Sequence, residues 1–167
     1  TASPAEQVEK FLEEADNYFQ LQEFAAGYEL YLRVLGLAPS NQHARKRIYE
    51  IITIYKTLMD TAQKEGDHNQ AELHYQKYRT VIRSLLQTLT NQLKRTIQKY
   101  GELIETQKTG IDVNEEIIPI LSNIIQILQD LKTIYEEYSQ GDSGTEKMVE
   151  RINKTIKKYE QELSQYQ

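Results

Sequence analysis

Apolar residues recur at intervals of three and four along nearly the whole chain, and a few turn signals interrupt them, so the sequence reads as helix throughout. Ser3-Pro4-Ala5-Glu6 opens the first helix. Ser3 can cap, Pro4 suits the first helical position, and Glu6 stands where a capping-box partner belongs. That helix runs to about Leu21 and carries Phe11, Ala15, Tyr18 and Phe19 on the helical period. Gln22-Glu23 turns the chain. A second helix, from about Phe24 to Leu37, carries Gly27, Tyr28, Tyr31, Val34 and Leu35 and stops at Ala38-Pro39-Ser40-Asn41, where Ser40 or Asn41 can cap the next. A third is expected from about Gln42 to Glu65. Gly66-Asp67 ends it, and Asn69 with Glu72 offers a cap for a fourth.

From Val81 the rhythm becomes heptads. Ile82, Leu86, Leu89, Leu93, Thr96, Tyr100 and Leu103 step by four and three, with Thr96 a polar break, so helix 4 should run from about 69 to 107. Asp112 with Glu115 can cap a fifth helix carrying Ile117, Leu121, Ile124, Leu128, Leu131, Tyr135 and Tyr138; Pro119 should kink it or delay its start. Gln140-Gly141-Asp142-Ser143-Gly144 reads as a turn, with Ser143 and Glu146 as another capping box. Val149, Ile152, Ile156, Tyr159, Leu163 and Tyr166 mark the last helix. The predicted class is all-α, ending in three heptad helices folded back as an antiparallel bundle.

Val8 to Asn41 resembles a tetratricopeptide repeat, a helix–turn–helix of 34 residues. With Val8 as the first position, Phe11, Ala15 and Tyr18 take the large, small and aromatic places of the first helix. Phe24, Gly27, Tyr31, Val34, Leu37 and Pro39 follow in the second; Glu14 and Val34 depart from the usual leucine and alanine. Ala15 and Gly27 would let the two backbones approach while Tyr18 and Tyr31 fill the space beside them. Ala71, Tyr75 and Tyr78 repeat the spacing of Gly27, Tyr31 and Val34. A degenerate second repeat is therefore expected, with Met59 larger than the small residue of the pattern. The expected organisation is two tetratricopeptide-like hairpins over 1–82 and a three-helix bundle over 83–167 that caps them and shares helix 4. The alternative is that helices 5 and 6 form a third, strongly degenerate repeat.

Composition narrows the chemistry. The chain has 167 residues, a net charge of −5 and no cysteine, which excludes disulfides and zinc–thiolate sites. The acidic balance and the scatter of Arg79, Arg83, Lys94, Arg95 and Lys99 around helix 4 argue against nucleic-acid binding. No uninterrupted apolar run approaches the roughly 20 residues of a membrane helix, so no membrane insertion is expected. A cytoplasmic location is the expectation. His43, His68 and His74 read as solvated, none paired with a His or carboxylate at metal-ligand spacing on one helix face, and no metal or other cofactor is implied. Arg45-Lys46-Arg47 reads as a solvated basic face, and carboxylate pairs such as Glu13-Glu14 as ordinary helix surface. No catalytic residue stands out, and an enzyme is not expected.

The resemblance implies a concave groove lined by first helices. Its residues here are Glu9, Leu12, Glu13, Asp16, Phe19 and Gln20, then Lys56 and Asp60, with Thr53, Thr57 and Gln63 beside them. Leu12 and Asp16 replace two residues of the family's carboxylate clamp, so that activity is not implied. An acidic face with one exposed aromatic, Phe19, would suit a basic or mixed apolar–basic peptide. The expected function is thus a protein–protein interaction scaffold. The alternative is a structural module in which the heptad helices mediate homo-oligomerisation.

Overall fold

Ser3 starts the first helix as its sequence suggests, accepting a hydrogen bond from the Glu6 amide at 3.2 Å with Pro4 in the first turn. The computed structural model describes residues 1–138 and 143–167. Among them are α1 (Pro4–Gln20), α2 (Phe24–Leu37), α3 (Gln42–Lys64), α4 (His68–Lys108), α5 (Asn114–Tyr138) and α6 (Thr145–Ser164), and no strand. The chain is all-α.

Three caps differ from the sequence expectation. Asp67, not Asn69, caps α4: its Oδ1 accepts from the Gln70 amide at 3.1 Å, just after the left-handed Gly66 at φ 78°. At α5 the Ile117 amide bonds the Val113 carbonyl at 3.0 Å, so the helix starts past Asp112, which accepts from the Asn114 amide at 3.0 Å. Pro119 lies inside α5, where its missing N–H leaves the Glu115 carbonyl without its usual helical donor. Gly144, at φ 86°, takes the N-cap position of α6 in place of Ser143, and no capping bond joins Ser143 to Glu146 among the described residues. Gln140, Gly141 and Asp142 of the expected turn lie outside the described residues.

The chain divides into two compact units, Thr1–Thr88 and Leu89–Gln167, with the boundary inside α4. In the first, α1 packs on α2 and α2 on α3. Fully buried Ala15 faces Gly27 across the first pair. A Cβ added at Gly27 would lie 3.5 Å from the Ala15 carbonyl oxygen and 3.7 Å from the Tyr18 Cβ. Tyr31, Val34, Ile48, Ile51 and Ile52 complete this core. Tyr18 does not fill space as expected; it is 36% exposed. The 3.5 Å approach is ordinary van der Waals contact, so alanine fits where a longer side chain does not. Gly27→Ala should therefore stabilise the protein by about 0.5–1 kcal/mol through helix propensity. Gly27→Leu should cost about 2 kcal/mol by overpacking. Urea midpoints at unchanged m-value check both.

In the second unit α5 packs on α6, with Ile117, Leu121, Ile124, Ile127 and Ile134 fully buried. Tyr100 meets Tyr159 edge-on at 6.1 Å, and the Tyr166 hydroxyl donates to Gln107 Oε1 at 3.4 Å. Both contacts step forward together, so this part of α4 and α6 run parallel. Burial pushes the Tyr100 phenol well above its ordinary range, and a hydrogen bond to the Glu162 carboxylate adds to the shift. Thr96 is not a polar break in the stripe. It is buried, and its hydroxyl donates to the Gln92 carbonyl at 2.7 Å within its own helix. By length and composition α5 could cross a membrane, at a mean hydropathy of 1.2, although no uninterrupted apolar run does. Its buried stripe is spent on α6.

Candidate functional site

On α1 the helical period sets Leu12, Asp16 and Phe19 along the edge of the buried stripe, half-buried, and Glu9, Glu13 and Gln20 farther round, exposed. The adjoining surface comes from α3. Asn41 Oδ1 accepts from the Ala44 amide at 2.9 Å, which starts α3 so that His43 falls in its first turn and Arg47 one turn later.

These two side chains reach back to α1. His43 Nε2 lies 2.8 and 3.0 Å from the two Asp16 carboxylate oxygens. The Tyr31 hydroxyl, from α2, donates to Asp16 Oδ1. Arg47 Nε stands 3.9 Å from that same oxygen, and its Nη1 donates to Glu50 at 2.9 Å. The guanidinium lies 4.2 Å from the centre of the Phe19 ring, a cation–π contact. Phe19 meets Phe24 edge-on at 5.4 Å, and Phe24 meets Tyr55 at 6.5 Å. Asp16 thus ties three helices together, and the pairs 16/43 and 19/47 show α1 and α3 running parallel.

Burial pushes the Asp16 carboxyl up. Hydrogen bonds from Tyr31 and His43, with the charges of His43 and Arg47, outweigh that and hold it below the usual carboxylate range. The same bond acts on the other partner: burial and then Asp16 push the Tyr31 phenol well above its ordinary value, with Arg47 opposing. Burial disfavours the Arg47 charge, and the hydrogen bond and charge of Glu50, with the charges of Tyr31 and Asp16, more than compensate.

Several expectations change here. His43 is exposed, and it pairs not on its own helix but with a carboxylate that lies far away in sequence. Phe19 is not an exposed anchor; it is half-buried beneath Arg47. Arg45-Lys46-Arg47 is not one solvated face, because consecutive helical residues point about 100° apart. Arg45 is 8% exposed and donates to the Pro39 carbonyl, Arg47 covers Phe19, and Lys46 alone of the three is exposed. Lys56 and Asp60 are exposed but do not join the α1 residues. Lys56 lies about half a turn round α3 from Arg47, and the charge of Asp60 acts on Tyr78 of α4. Tyr31, His43, Arg47 and Glu50 take part in the site instead. A signal for two of them was present, since the Asn41 cap sets His43 and Arg47 on one face at i, i+4.

Comparison with protein-family models, with curated protein sequences and with solved structures finds no match to this chain. Among the described residues, no group of three or more His, Asp or Glu side chains could hold a metal ion. With Tyr31 and His43 bonded to it and Arg47 beside it, Asp16 works as a tie between helices. The exposed carboxylates of α1 are left to face solvent.

Proposed function

We propose that the chain is a non-catalytic protein-binding scaffold that captures a peptide or helix of a partner along α1, with a tetratricopeptide-like pair of hairpins as its first unit. The Ala15–Gly27 approach and the parallel course of α1 and α3 support the repeat reading. One observation carries the binding reading. Asp16 is neutralised from within, whereas Glu9 and Glu13 make no ion pair among the described residues and flank half-buried Leu12. A basic group of the partner would meet Glu9 and Glu13, and an apolar side chain would rest on Leu12. The contact line is short, because Phe19 and Asp16 are occupied by Arg47 and His43.

Affinity capture with the wild type and with Glu9→Lys/Glu13→Lys tests this. Partners specific to the wild type should be lost by about tenfold or more with the double variant, as expected when two rim charges are reversed. Lys56→Glu, on the other side of α3, should retain them. Full retention by the double variant would sink the proposal.

A further inference from the structure

A surface depression of about 510 Å³ opens on the first unit and shares no residue with the α1 ridge. Its volume falls in the range of about 300–1,000 Å³ typical of small-molecule sites. Phe24, Tyr55 and Leu58 give it an apolar lining, and Leu58 is 41% exposed despite its size.

The first turn of α2 lines the same depression through Phe24, Ala25 and Ala26. Glu23, its N-cap, makes no side-chain cap bond, and the first intrahelical bond runs from the Gly27 amide to the Glu23 carbonyl at 3.1 Å. The amides of Phe24, Ala25 and Ala26 therefore have no acceptor among the described residues, at the positive end of the helix dipole. From α4 come Lys77 and, one turn earlier, His74, whose Nδ1 is buried without a hydrogen-bond partner. Uncapped amides and an ammonium group thus meet an apolar lining in one depression, with the His74 ring packed into its wall.

We propose that this depression binds a small amphipathic acid, an aliphatic or aryl monocarboxylate. Its apolar body lies over Phe24, Tyr55 and Leu58. Its carboxylate takes the free amides of α2, with Lys77 as counter-charge. Glu23 also lines the cavity, and its charge opposes an anionic head group. That opposition gives the proposal a sign that can be tested.

Octanoate, octan-1-ol and octylammonium are titrated into the full chain, following the Leu58 methyl and the Ala25 and Ala26 amide signals by NMR. Octanoate should shift all three saturably with a Kd of about 1 mM, and octanol should bind about tenfold more weakly for want of charge-assisted hydrogen bonds. Leu58→Asp should abolish the shifts, and Lys77→Glu should weaken octanoate about tenfold. Glu23→Gln should tighten it about threefold. All three side chains are exposed, so the variants should keep the wild-type circular dichroism. Equal binding of octanol, tighter binding of octylammonium, or no saturable shift would each overturn the proposal. So would a blocked peptide ending in leucine that binds tenfold more tightly than octanoate, because the occupant would then be a chain terminus.

Discussion

Ile124→Ala is expected to lower the free energy of unfolding by about 3 kcal/mol, within the usual range of about 2–5 kcal/mol for such core truncations. Ile124 is fully buried midway along α5, whose burial extends on both sides of its heptad stripe to Ile125 and Ile127. Such a site cannot collapse around a smaller side chain without moving the face that packs on α6, so cavity and transfer terms add. Alanine's better helix propensity returns only about 0.4 kcal/mol. Ile111→Ala is the control: Ile111 is 58% exposed, and the change should stay within about 0.5 kcal/mol. Urea unfolding measures both. An Ile124→Ala cost no larger than the control's would mean that α5 is not packed as described.

Asp16→Ala should cost about 2 kcal/mol, chiefly because it strands a hydroxyl. Tyr31 is completely buried, and its hydroxyl donates to Asp16. His43 is open and recovers hydration, and Arg47 keeps its bond to Glu50, so their loss adds little. Asp16→Asn keeps an acceptor for Tyr31 and removes only the charge, so about half that cost is expected. The pH dependence follows from the lowered carboxyl. Its contribution is complete above the unfolded value, about pH 4, and is lost as the pH falls through the lower folded value. The stability gap between the wild type and Asp16→Asn should therefore be smaller at about pH 3 than at about pH 5. A gap that widens on acidification would remove Asp16 from the centre of the cluster.

What could be read in the sequence follows from where the physics is local. The bounds of α2 agree with expectation because Phe24 follows a two-residue turn and Ala38-Pro39 cannot continue the helix. The cap of α4 is ambiguous in the sequence because Asp67 and Asn69 each have a capping-box partner three residues on, Gln70 and Glu72. Only the backbone at Gly66 decides which of them faces the open amides. The pairing of Asp16 with His43 depends on how α1 and α3 run side by side, and no local pattern records that. The basic triplet at 45–47 was legible in principle, since a 100° step between neighbours forbids a common face.

The cluster around Asp16 also bears on how the chain folds. Its ties run from Asp16 to Tyr31 and to His43, separations of 15 and 27 residues, and Glu50 is its last member. Contacts this local close early and quickly, since the loop-closure entropy each must overcome is small. A ribosome that has released the chain through α3 has therefore supplied every group the cluster needs. The first three helices can lock together while the rest of the protein is still being made.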